Sequence, residues 1–253
     1  MFFQKQLTLY FAISILLLLG CGEDSSNFST PLSSSNVDPS TVQLYNLLPS
    51  NVTGVQFNNK IQEDLAVNYL RYDGIYMGAG VGTGDLNNDG LTDLYFPGNQ
   101  VHDQIYINKG DMKFENITDK AGIIKDNSWS TGVSFVDINT DGYLDIYVCK
   151  FLFEDSSLRQ NQLYINNGDE TFTESAAKYG INDSGYSVQA NFFDYDKDGD
   201  LDLYIANQPP NASHLKKQLT NKKEFKYTDR LYKNNGNGSV SYTHLTLPTT
   251  PYV

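Results

Sequence analysis

The chain has 253 residues, enough for one or two domains with a substantial core. Acidic residues outnumber basic ones 30 to 18, giving a formal charge of −12; such an acidic chain argues against a nucleic-acid partner, whose phosphates need Lys and Arg. Tyrosine (18) and phenylalanine (14) are frequent while charge is sparse, which suits a strand-rich protein.

At the N-terminus, Lys5 is the only charge ahead of an almost wholly apolar run, Leu7 to Leu19. A bilayer span needs about 20 residues, so this run fits a signal-peptide core instead. It ends in Leu18-Leu19-Gly20-Cys21, which resembles a bacterial lipobox, the motif whose cysteine is lipidated and becomes the mature N-terminus. The alternative is an ordinary secretory signal followed by a chance cysteine. Residues 1–20 are read as a lipoprotein signal peptide, Cys21 as the lipidation site, and 21–43 as a flexible, serine-rich tether. The expected location is the bacterial cell envelope, as an outer-membrane lipoprotein that is periplasmic or surface-exposed. Gly22-Glu23-Asp24 resembles the export signals of some surface lipoproteins.

Residues 44–239 carry the fold. In Leu44–Tyr76, Val55-Gln-Phe57 and Asn68–Tyr72 are expected to supply strands. A nine-residue pattern then occurs three times: 85–93 (DLNNDGLTD), 137–145 (DINTDGYLD) and 194–202 (DYDKDGDLD). Oxygen-bearing side chains fall at positions 1, 3, 5 and 9, with glycine at position 6, where a tight curl needs a residue without Cβ. By position, the first loop offers Asp85, Asn87, Asp89 and Asp93 with the Leu91 carbonyl. The second offers Asp137, Asn139, Asp141 and Asp145 with the Tyr143 carbonyl. The third offers Asp194, Asp196, Asp198 and Asp202 with the Asp200 carbonyl. An all-oxygen set selects Ca²⁺ over zinc or copper, so about three calcium sites are expected. The extra carboxylate at position 3, with Asp200 beside it, makes the third loop the tightest expected site. Metal-free Asp/Asn-Gly turns are the alternative, but several aspartates crowded into one turn repel one another. The role expected of the metal is structural: it cross-links acids that would otherwise push the loop apart.

Each loop follows a strand-like run (77–84, 129–136, 186–193) and precedes another (Leu94-Tyr-Phe96, Ile146-Tyr-Val148, Leu203-Tyr-Ile205). Next come the alternating segments 103–110, 161–168 and 229–236, each ending in Asn-x-Gly, as in a half-buried strand closed by a turn. A further element recurs at Phe114–Gly122 and Phe172–Gly180. Loop starts lie 52 and 57 residues apart, so each unit holds about four strands, the period of a β-propeller blade. Position 12 is Phe96, Val148 and Ile205 where an EF-hand needs glutamate, and the period is too long for a calcium-binding solenoid. The fold class is therefore all-β: about three four-stranded propeller blades with calcium loops, an incomplete ring.

The third unit carries an insertion, Gln208–Thr228, with Lys216, Lys217, Lys222, Lys223 and Lys226. It reads as a solvated basic loop, or more sharply as a docking loop for an acidic partner or glycan. Cys149 lies within a strand and reads as a small buried residue, and Trp129 as packing within a blade. Residues 240–253 resemble a translated sequencing-library adapter and are expected to be a non-native tail outside the fold.

The loops, the Leu/Ile-Tyr-Ile-Asn-x-Gly strand ends and the Phe-x-x-x-Thr/Ala-x-x-x-Gly segments resemble FG-GAP/VCBS repeats, and among them bacterial relatives of cartilage acidic protein. The resemblance implies an integrin-α-like propeller with calcium loops, usually of about seven blades. The Gly-Ala-Pro half of the repeat's name is missing here. No recurring base, nucleophile or histidine accompanies the loops, and no P-loop or nucleotide-binding glycine pattern occurs. The expected function is a non-catalytic, calcium-binding envelope module for a protein or glycan ligand, with membrane attachment through the lipid anchor. The alternative is the propeller portion of a polysaccharide-active enzyme.

Overall fold

The computed structural model describes residues 45–209, 227–236 and 240–245. The chain divides after Leu47, and everything below lies in the unit that begins at Leu48. The signal segment, Cys21, the tether and the lysines of the third insertion lie outside the described residues.

Three four-stranded antiparallel meanders make up the fold. The first comprises β1 (Gly82–Gly84), β2 (Asp93–Phe96), β3 (Gln104–Asn108) and β4 (Phe114–Asn116). The second comprises β5 (Trp129–Val136), β6 (Asp145–Phe151), β7 (Gln162–Asn166) and β8 (Phe172–Glu174). The third comprises β9 (Ser187–Phe193), β10 (Asp202–Asn207), β11 (Asp229–Asn234) and β12 (Val240–Leu245). Each nine-residue loop is the hairpin between a sheet's first two strands. The four-strand unit predicted from the period is thus present three times, as propeller-like blades.

Alternation along the strands explains how the blades stack, since successive side chains leave a strand on opposite faces. In β6, Ile146 and Val148 join Tyr95, Ile105 and Ile107 in the core between blades one and two. Their neighbours Tyr147 and Cys149 join Ala190, Leu203 and Ile205 in the core between blades two and three. The middle blade is covered on both faces, and six of its seven β6 residues are buried. Cys149 sits there as a free, fully buried thiol, its pKa pushed up by burial, in keeping with a packing role. Trp129 is also buried, against Val67, Ile75 and Leu152. The first strands run close together: a Cβ on Gly132 would lie 2.5 Å from the Val188 carbonyl oxygen.

Phe114–Gly122 and Phe172–Gly180 each form a short strand followed by one helical turn, α2 (Thr118–Ala121) and α3 (Ala176–Tyr179). Both turns end on a left-handed glycine, Gly122 and Gly180.

Three expectations differ from the fold. Neither Val55-Gln-Phe57 nor Asn68–Tyr72 forms a strand; the segment holds one helical turn, α1 (Ser50–Thr53), and irregular backbone. Its groups are spent on packing. Phe57 stacks on Phe96 with ring centroids 5.0 Å apart, and the Gln56 N–H donates to the Tyr106 hydroxyl. Of residues 77–84, only Gly82–Gly84 pair as a strand. Val240–Leu245, set aside as the start of a tail, pairs in register with β11 from Asn234↔Val240 to Asp229↔Leu245. Backbone pairing alone satisfies that edge, with Tyr242 lying against Tyr232.

Candidate metal centre

The three loops share one backbone path. At position 6, Gly90, Gly142 and Gly199 take φ of 84°, 89° and 95°. Position 4 is also left-handed, at Asn88 (59°), Thr140 (56°) and Lys197 (64°), a requirement not read from the sequence. This double curl turns backbone N–H groups inward onto the position 1 carboxylate. Asp85 accepts from the Asp89 and Gly90 N–H groups at 3.1 and 2.8 Å. Asp137 accepts from Asp141 and Gly142 at 3.0 and 2.9 Å. Asp194 accepts from Asp198 and Gly199 at 3.2 and 3.1 Å. Position 5 accepts from position 7: Asp89 from Leu91, Asp141 from Tyr143, Asp198 from Asp200.

Position 9 is a structural staple as well as a candidate ligand. Asp93, Asp145 and Asp202 are buried. One oxygen of each accepts the position 2 N–H of its own loop, from Leu86, Ile138 and Tyr195. The other accepts, at 2.8 Å, the N–H of the asparagine ending the third strand: Asn108, Asn166 and Asn234. Those asparagines in turn accept from Gly110, Gly168 and Gly236 and close the Asn-x-Gly turn. Burial pushes the Asp145 carboxyl up to about 6 against the pull of its two backbone donors, and raises Asp93 in the same way.

The carboxylates converge to different degrees. In the third loop, one oxygen from each of Asp194, Asp196 and Asp202 lies within 4.8 Å of the other two. Two oxygens on opposite sides of a Ca²⁺ ion at 2.3–2.6 Å stand at most about 5 Å apart, so this group fits such an ion. Among the described residues it is the one cluster of at least three acidic, His or Cys groups with that convergence. In the first two loops Asn87 and Asn139 hold position 3; each donates its amide to the position 5 aspartate. There the donor set is two outer acids, a buried acid and a neutral amide oxygen on the same path. The first two loops also touch each other, through Asn88 Nδ2 donating to the Gly142 carbonyl at 2.9 Å. Asp200 hydrogen bonds through its N–H to Asp198.

A second repeated device was missed in the sequence. The tyrosine after each loop bonds an acid or amide at the start of the third strand. Tyr95 donates to Asp103 at 2.8 Å, Tyr204 donates to Asp229 at 2.7 Å, and Tyr147 accepts from Asn161 at 3.2 Å. The second carboxylate oxygen of Asp103 and of Asp229 accepts a backbone N–H, from Gly98 and Asn207, and the amide oxygen of Asn161 accepts that of Lys150. The first of these buckles faces Lys150, which is 1% exposed and places its ammonium 3.7 Å from Asp103. Lys150 also donates to Ser128 and Ser130 and lies 3.9 Å from the partly exposed Asp126.

No curated protein matches this chain. The model of the FG-GAP-like repeat matches residues 65–148 and 151–205, more than half of the chain. Those spans contain all three oxygen-rich hairpins and the strands that lead into them. Repeats of this kind suggest a propeller-like adhesion or binding module. On its repeated hairpins, its three stacked four-stranded blades and this match, the chain belongs to the FG-GAP repeat family.

Proposed function

We propose that this chain is a calcium-clipped, non-catalytic binding or adhesion module, held to the bacterial outer membrane by a lipid on Cys21. The observation that carries the metal reading is the 4.8 Å convergence of Asp194, Asp196 and Asp202 at the mouth of a blade hairpin. Asp85, Asn87, Asp89 and Asp93 with the Leu91 carbonyl would hold a second ion, and Asp137, Asn139, Asp141 and Asp145 with the Tyr143 carbonyl a third. The Asp200 carbonyl would complete the third loop's set. A bound ion supplies charge neutralisation in each hairpin; the chain's own groups fix the curl and anchor it to the third strand. The ligand of the module is a protein or a glycan, met by the variable segments between strands rather than by the hairpins. Membrane attachment rests on the Leu-Leu-Gly-Cys21 sequence alone.

Thermal melting tests the metal reading. An ion that binds only the folded chain adds about 2.7 kcal/mol per site at one hundred times its Kd. For a chain of this size that is roughly 5–10 °C per site. Melting should fall in EDTA and recover in excess Ca²⁺; an unchanged melting temperature refutes it. Attachment is tested by Cys21→Ser, which should release the protein from the membrane fraction.

A further inference from the structure

Lys233 breaks the repeat. At the corresponding position of the third strand, the first two blades carry Ile107 and Ile165. In the third blade the Lys233 ammonium instead reaches into the calcium loop. It pairs with Asp196 and with Asp198, the latter at 3.0 Å, and lies 6.0 Å from the centre of the Tyr195 ring. All three contacts are to residues of the same nine-residue loop. Asp196 is the carboxylate that distinguishes this loop from the other two, where asparagine holds position 3.

We infer that Lys233 is a tethered counter-cation that competes with the divalent ion for the third loop. This rests on the proposed calcium reading and concerns how that site is regulated. The ammonium occupies Asp196, one of the three converging acids, and one oxygen of Asp198. An incoming ion must displace it from Asp196, and the displaced ammonium then stays nearby as a like charge. Lys233 therefore gives back part of the affinity that the extra acid confers. It also keeps the metal-free loop from repelling itself. The third loop becomes a site that is stable when empty and fills at higher calcium than its acid count implies. Among the described residues, no lysine or arginine pairs with the acids of loops one and two.

The position 6 glycine amides give a separate reporter for each loop, because Gly90, Gly142 and Gly199 each donate to the position 1 carboxylate. Calcium titration of the ¹⁵N-labelled chain follows all three at once. Lys233→Ile copies the other blades, and Lys233→Met keeps the length of the side chain without its charge. Both should tighten calcium binding at Gly199 by up to roughly fivefold, the upper range of an exposed ion pair. The Gly90 and Gly142 midpoints should stay unchanged, and Lys233→Arg should behave like the parent. In EDTA the two neutral variants should melt below the parent, although both gain more from added calcium. An unchanged Gly199 midpoint in both neutral variants overturns the inference alone. If none of the glycines responds to millimolar calcium in any variant, the calcium reading falls and the inference falls with it.

Discussion

Replacing Asp145 by alanine removes an acceptor from two backbone donors at once, one buried at Asn166 and one part-buried at Ile138. Its oxygens accept from Ile138 at 3.0 Å and from Asn166 at 2.8 Å, in a residue that is 0% exposed. A buried donor left unsatisfied costs about 1–3 kcal/mol. Two of them set a ceiling of about 6 kcal/mol, and loss of a buried charge returns part of that, so about 2–4 kcal/mol is expected. Asp145→Asn keeps the shape and one acceptor and should cost about half as much. Urea unfolding in EDTA measures this staple apart from any contribution of calcium. Asp141→Asn is the control: its side chain is exposed, it can still accept from Tyr143, and in EDTA it should stay within about 0.5 kcal/mol of the parent. With calcium present, Asp141→Asn should lose metal-dependent stability. If Asp145→Ala matches the parent in EDTA to within about 0.5 kcal/mol, position 9 is not a staple, and the account of the loop is wrong.

Two further predictions concern strain and buried charge. Thr140 is β-branched at φ 56°, where Asn88 stands in the first loop, so Thr140→Asn should stabilise the chain by about 1 kcal/mol and raise melting by roughly 2–4 °C; a lower melting temperature would contradict the strain argument. Lys150→Met leaves Asp103 buried without its cation and should cost about 3 kcal/mol. Adding Asp103→Asn, which copies Asn161 of the next blade, should recover at least half of that loss in a double-mutant cycle, whereas strict additivity would mean the two groups do not interact.

The hairpins, their glycines and the four-strand period were legible because each is written at a fixed spacing. The Tyr–Asp/Asn buckles were not. Tyr95 reaches a partner 8 residues on, Tyr147 one 14 on, and Tyr204 one 25 on. Insertions of different length separate the partners, so no constant interval marks them; the one clue was a tyrosine recurring where an aliphatic residue would pack as well. The double duty of position 9 was hidden for a related reason: carboxylates spaced for a cation also suit inward N–H groups, and only burial of Asp93, Asp145 and Asp202 reveals the second use. Val55-Gln-Phe57 has strand composition, but Phe57 is taken up by Phe96 and no paired edge is offered to it. Lys233 shares a strand face with Leu231 where the other blades carry isoleucine, but a lone lysine in an edge-side strand is ordinary by itself; its meaning lies in a loop 35 and 37 residues upstream.

We propose that the oxygen-rich hairpins hold calcium as structural clips. The direct measurement is elemental analysis of the purified chain after dialysis against micromolar calcium, beside variants in which Asp85, Asp137 or Asp194 is replaced by Asn. Up to three calcium ions per chain are expected, with a fall of one in each variant and no transition metal in their place. A chain that retains no calcium, or a count indifferent to all three substitutions, would contradict it.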